Sequence, residues 1–168
     1  MLEILSHTPY WVFGLFIALV LLGLQQRKNR RVKMPLAFLL PLGMMVLSLI
    51  GVFSSFGLSF TPVVIWVVGL SLAASITARI FPVKGILYHA ENNSFYIPGS
   101  AIPLLVIMAI FFTKYCVGVL HGMNPEALNS PTLKFLFALI YGLASGYFVG
   151  RSICLWTAFR TKAKTQHK

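Results

Sequence analysis

The sequence predicts an all-α membrane protein. It reads as one domain over residues 1–168, built as a bundle of five transmembrane helices with the N-terminus out and the C-terminus in. A small cytoplasmic β-hairpin is expected between helices three and four. Three observations predict this. Apolar residues make up 58% of the chain and charged residues only 10%, where a soluble domain carries about a quarter charged. Apolar stretches near residues 8–25, 35–53, 61–80, 100–120 and 133–157 approach or exceed the roughly 20 helical residues that cross a bilayer. The basic residues also alternate between loops in the way the positive-inside rule requires.

Helix one is preceded by Glu3 and followed by Arg27, Lys28, Arg30, Arg31 and Lys33. A secretory signal has the reverse polarity, so this is read as a retained helix. Arg79 and Lys84 fall on the same side as that cluster, as do Arg151, Arg160, Lys162, Lys164 and Lys168. Only Lys114 and Lys134 lie toward the other side. Tyr10 and Trp11 suit one interfacial belt and Trp156 the other.

Helix two opens with Pro35 in a tolerant first turn and carries Pro41 where a kink is expected. The uncharged link "SSFGLSFTP" predicts that helices two and three form an antiparallel pair. In "FPVKGILYHAENNSFYIPGS", residues 84–89 and 94–97 flank the polar turn Ala90-Glu91-Asn92-Asn93, which reads as a hairpin. An isolated hairpin is marginal in water, so it should rest on helix ends or headgroups. Ser100 is placed to cap helix four, with Pro103 in its first turn.

The three acids are Glu3, Glu91 and Glu126, far apart and outside the apolar stretches, and there is no aspartate. Acid-based proton relays, divalent-cation cages and paired-carboxylate hydrolysis therefore have no basis here. Cys116 and Cys154 show no ligand spacing, so neither a metal nor another cofactor is expected. The net charge of +11 flanks apolar spans and does not cover one face, which argues against a nucleic-acid partner. The expected partners are the bilayer, anionic headgroups on the cytoplasmic side, and a second copy or another membrane protein.

Three features are candidate sites. Gly142, Gly146 and Gly150 recur at four-residue intervals, as do Gly69, Ala73 and Thr77, so a small-residue packing seam between helices five and three is expected. Arg79 and Arg151 each lie roughly 27 Å along their helices from the outer face. They are expected to snorkel to lipid phosphate, or to form a joint anion site. On a helical wheel Arg151 projects roughly 140° from the glycines, toward Ala144, Phe148 and Leu155. Lys114, Gly118 and His121 share a helix face. With Tyr115 they form a candidate outer pocket, which His7 could approach.

"FYIPGSAIPLLVIMAIFFTKY" and "YGLASGYFVGRSICLW" resemble a family of small bacterial inner-membrane proteins of unknown function. The matching positions are Pro98, Gly99, Ser100, Lys114, Tyr115, Ser145, Gly146, Gly150, Arg151, Leu155 and Trp156. "ILSHTPYWVF" is similar to the family's start, whereas the basic "QQRKNRR" maps onto no family motif. The resemblance implies a bacterial multi-pass protein and supplies no activity. The functional expectation is a non-enzymatic assembly or accessory component, with a small carrier for an anionic or apolar solute as the alternative. No nucleophile, base and acid fall together in one pair of spans, so an enzyme is not expected.

Overall fold

The computed structural model of the chain describes residues 9–57, 59–79 and 85–165. It contains five α-helices and a small antiparallel sheet. The helices are α1 (Tyr10–Gln25), α2 (Met34–Phe56), α3 (Phe60–Arg79), α4 (Ile102–Met123) and α5 (Pro131–Thr165). The strands are β1 (Arg30–Lys33), β2 (Leu87–His89) and β3 (Ser94–Ile97). Helices α2 to α5 are long and apolar enough to cross a membrane. At 16 residues, or about 24 Å, α1 is shorter than the roughly 30 Å hydrocarbon core. Among the described residues four helices, not five, therefore meet the length expected of a span.

The centre of the bundle is α5. Its principal neighbour is α3, followed by α2, while α2 and α3 touch each other only sparsely. The antiparallel pair expected of helices two and three is thus not the main packing unit. The short link does turn the chain back, through Gly57 in the left-handed region at φ 66°. What draws α3 to α5 is the small-residue seam. A Cβ on Gly146 would lie 2.3 Å from the Leu70 carbonyl oxygen, and one on Gly142 would lie 2.4 Å from that of Trp66. At Gly150 it would meet Ala74 and Thr77, and at Gly69 the Leu139 carbonyl and Leu143 nitrogen. The backbones approach this closely because no side chain stands between them, and the gain is dispersion contact.

A polar tie crosses this apolar core. Ser48 is fully buried, donates from Oγ to the Tyr141 carbonyl oxygen at 3.0 Å, and accepts from Trp66 Nε1 at 3.0 Å. One hydroxyl thereby joins α2, α3 and α5, with Met44, Val52, Ile107, Ile110 and Phe148 packed around it.

The structure corrects the hairpin to a three-stranded sheet. β2 and β3 pair as the hairpin pattern requires, joined by a 3-10 turn over Ala90–Asn92, but β1 pairs with the other edge of β3. The order is β1-β3-β2, with Arg30 opposite Ile97 and Lys33 opposite Ser94. Lys84, where the first strand was expected to begin, lies outside the described residues. β1 alternates half-buried Arg30 and Val32 with exposed Arg31 and Lys33. The basic segment after α1 is thus an edge strand with charge on its open face, which discourages further pairing.

Helix length explains what supports the sheet. α5 runs for 35 residues, about 52 Å, so its C-terminal turns emerge well beyond a hydrocarbon core of about 30 Å. Leu155 packs against Phe95, Ile97 and Ala37, and Phe159 meets the Tyr88 ring edge to face at 5.0 Å. The fifth predicted span, 133–157, is therefore the inner part of a longer helix that carries the sheet. By contrast, α1 is attached mainly to α4. There Gly23 admits Leu104, and Phe16 packs on Phe111 and Phe112.

Candidate functional site

At the sheet end, the tripeptide Pro98-Gly99-Ser100 crosses the turn that follows α1. A Cβ on Gly99 would sit 2.0 Å from the Arg27 carbonyl oxygen, so only glycine permits this crossing. Two hydrogen bonds hold it: the Gly99 N–H donates to Asn29 Oδ1 at 2.8 Å, and the Ser100 N–H to the Gln26 carbonyl at 2.9 Å. Helix α4 begins at Ile102, one residue later than a Ser100 cap requires. Ser100 Oγ still accepts from the Ile102 N–H at 3.2 Å.

This crossing assembles a buried polar cluster. Arg151 is 5% exposed and donates from Nη1 to the Tyr147 hydroxyl oxygen at 3.1 Å. Ser100 adjoins the same hydroxyl. Arg30 donates from Nη2 to Gln26 Oε1 at 2.8 Å. Burial, and then repulsion from the nearby Arg151 charge, push the Arg30 guanidinium below its ordinary pKa. Gln26 is 2% exposed, and its Nε2 has no hydrogen-bond partner among the described residues. The arginine fixes the amide's orientation, because a guanidinium can only be faced by the carbonyl oxygen.

No ion pair neutralises either guanidinium among the described residues. Glu91 stands exposed in the turn beyond the Ser94–Lys33 end of the sheet, away from Arg30 opposite Ile97. Glu126 is exposed in the 3-10 segment Pro125–Asn129 at the other end of the bundle. Buried Arg151 and half-buried Arg30 thus lie near each other with no carboxylate beside them among the described residues.

Arg79 is exposed at the end of α3, whose Thr77 packs on Gly150, across α5 from Arg151. The second cation at Arg151 is Arg30, and Arg151 itself is buried, not snorkelling. The helical wheel placed Arg151 on the face of Ala144, Phe148 and Leu155, and those three residues are all buried with it. What it could not place was Arg30, because the basic segment had no predicted partner. The available signal was the Gln26–Arg30 spacing of four together with the alternation in Arg30-Arg31-Val32-Lys33.

At the opposite end, a cavity of about 810 Å³ brings together Lys114, Tyr115 and His121, with Trp11, Leu15 and Ser54 in its wall. Lys114 is half-buried and its Nζ donates to Ser54 Oγ. His121 is exposed, and His7 lies outside the described residues. No three metal-ligating side chains come together among the described residues.

Four bilayer-length apolar helices packed on a small-residue seam, with a three-stranded sheet seated on the end of the longest, define a helical membrane protein. More particularly, the chain belongs to the family of unknown function DUF6622, which matches residues 1–166. No curated protein and no solved structure matches the chain.

Proposed function

We infer that this chain is a multi-pass protein of a bacterial inner membrane, acting as a non-enzymatic assembly or accessory component. Its N-terminus faces out and its sheet end rests against the anionic headgroups of the cytoplasmic leaflet. In this reading α1 crosses as a fifth, thin span, with Tyr10 and Trp11 at its outer end and local bilayer thinning accommodating its length. Charge asymmetry supports the orientation. Arg27, Lys28, Arg30, Arg31, Lys33, Arg79, Arg151 and Arg160 all belong to the sheet end, and each cation near an anionic leaflet contributes about 1 kcal/mol.

The observation that favours an accessory role over a carrier is the core between the two polar clusters. Trp66, Ile107, Ile110, Tyr141 and Phe148 fill the space between the Lys114 cavity and the Arg151 cluster, and Ser48 locks three helices at that level. A carrier has to open that layer, whereas an accessory protein keeps it closed. The second reading, a small carrier of an anionic solute, draws on the cations at both ends.

Reconstitution into liposomes separates the two. The accessory reading expects inorganic phosphate and small carboxylates to leak no faster than from protein-free liposomes. Flux that saturates with solute and disappears in Arg151→Gln establishes the carrier instead.

A further inference from the structure

We propose that Arg30, Arg151, Gln26 and Tyr147 form a buried binding site for a phosphate-type oxyanion at the junction of the helices and the sheet. The inventory of groups selects the ligand. Each guanidinium has five N–H donors, no acceptor and a positive charge. Gln26 presents an unpartnered NH2 from a residue 2% exposed. Tyr147 accepts from Arg151 Nη1 and also adjoins the Ser100 hydroxyl, so it holds Arg151 in place. The two guanidiniums and the Gln26 NH2 are all donors, so the missing element is an acceptor-only group.

Charge narrows the choice further. A carboxylate supplies one negative charge and leaves one of the two cations unmatched. A phosphomonoester or inorganic phosphate carries about −1.5 to −2 near pH 7 and three acceptor oxygens, which matches two guanidiniums. Buried charges are retained when they are paired, and among the described residues no carboxylate pairs with these.

Location identifies two sources for the same chemistry. Arg151 lies 20 residues, about 30 Å, from the start of α5, at the depth of a headgroup layer. The oxyanion is therefore either the headgroup of a phosphomonoester lipid or free phosphate from the adjoining aqueous phase. The lipid source rests on the reading that this end meets a headgroup layer; free phosphate does not depend on which leaflet that is.

Thermal unfolding of the purified full chain, followed by tryptophan fluorescence, tests the site in two arms. One arm adds inorganic phosphate at ionic strength matched with chloride, in neutral detergent. The other compares nanodiscs of phosphatidylcholine with and without phosphatidic acid. The site predicts a rise of about 3–6 °C in at least one arm, and that arm identifies the source. The rise is lost in Arg151→Gln and kept in Arg79→Gln.

Gln26→Glu guards against a variant that fails to fold. It keeps the shape of the side chain and places a carboxylate beside Arg30. It should raise the ligand-free unfolding temperature and abolish the phosphate shift. The proposal is overturned if neither arm stabilises the wild type, if Gln26→Glu responds to phosphate like the wild type, or if Arg79→Gln loses the response as fully as Arg151→Gln. A reversed membrane orientation would leave the phosphate arm unchanged, so failure of the functional reading and failure of this site are distinguishable.

Discussion

Gly146→Ala adds one methyl group at the tightest point of the α3–α5 seam. The new carbon would lie 2.3 Å from the Leu70 carbonyl oxygen and 2.7 Å from Ala73 Cβ, and the oxygen belongs to backbone that no rotamer change can move. Restoring an ordinary contact requires the helices to part by about 1 Å, which forfeits a quarter to a half of the local dispersion energy. With some 30–40 atom pairs affected at about 0.15 kcal/mol each, the loss is roughly 1–3 kcal/mol, the usual range for overpacking. Alanine recovers up to about 1 kcal/mol of helix propensity, leaving a net destabilisation of up to about 2 kcal/mol. Gly43→Ala provides the control, because a Cβ there meets nothing within 4 Å and only the propensity gain applies. Reversible unfolding in mixed micelles, followed by tryptophan fluorescence, should therefore give opposite signs for the two variants. If Gly146→Ala is as stable as Gly43→Ala, the seam does not hold the bundle together.

Ser48→Ala removes two hydrogen bonds and leaves Trp66 Nε1 buried without a partner. A loss of about 1–2 kcal/mol is expected in the same assay, with a shift in Trp66 emission. Gly99→Ala forces the Pro98-Gly99-Ser100 crossing off the Arg27 carbonyl. Peptides spanning 87–97 should then exchange amide hydrogens faster while 131–150 stays protected. Lys114→Met removes a cation from an apolar helix whose nearest fixed partner is the Ser54 hydroxyl, so stability in neutral micelles should rise or stay level. A marked fall would mean that the charge has a partner the Ser54 contact does not supply.

The apolar spans and the glycine seam were legible because each rests on a local period. Twenty apolar residues suffice to mark a helix, and spacing by four at Gly142, Gly146 and Gly150 marks one face of it. The same arithmetic put Arg151 on the side of Phe148 and Leu155. Beyond the α3–α5 seam, tertiary partners were not legible. β1 is four residues of mostly basic chain, and its strand character comes from pairing with Phe95 and Ile97, more than sixty residues away. A charge count reads Arg30 and Arg31 alike, although one faces the cluster and the other solvent. Depth along a helix made Arg79 and Arg151 look equivalent. They differ in their surroundings: Arg79 is exposed, whereas Arg151 is buried on a helix that continues alongside the sheet.

Orientation is the part of the account on which its functional reading turns, and paired cysteine labelling measures it directly. Cys116 and Cys154 are first replaced by serine. Asn129→Cys then places a thiol in the exposed segment between α4 and α5, and Asn92→Cys one in the exposed turn of the sheet. With intact bacterial cells opened only at the outer membrane, a membrane-impermeant maleimide should label Asn129→Cys at once and Asn92→Cys only after lysis. The reverse pattern would put the sheet and its arginines outside and contradict the account.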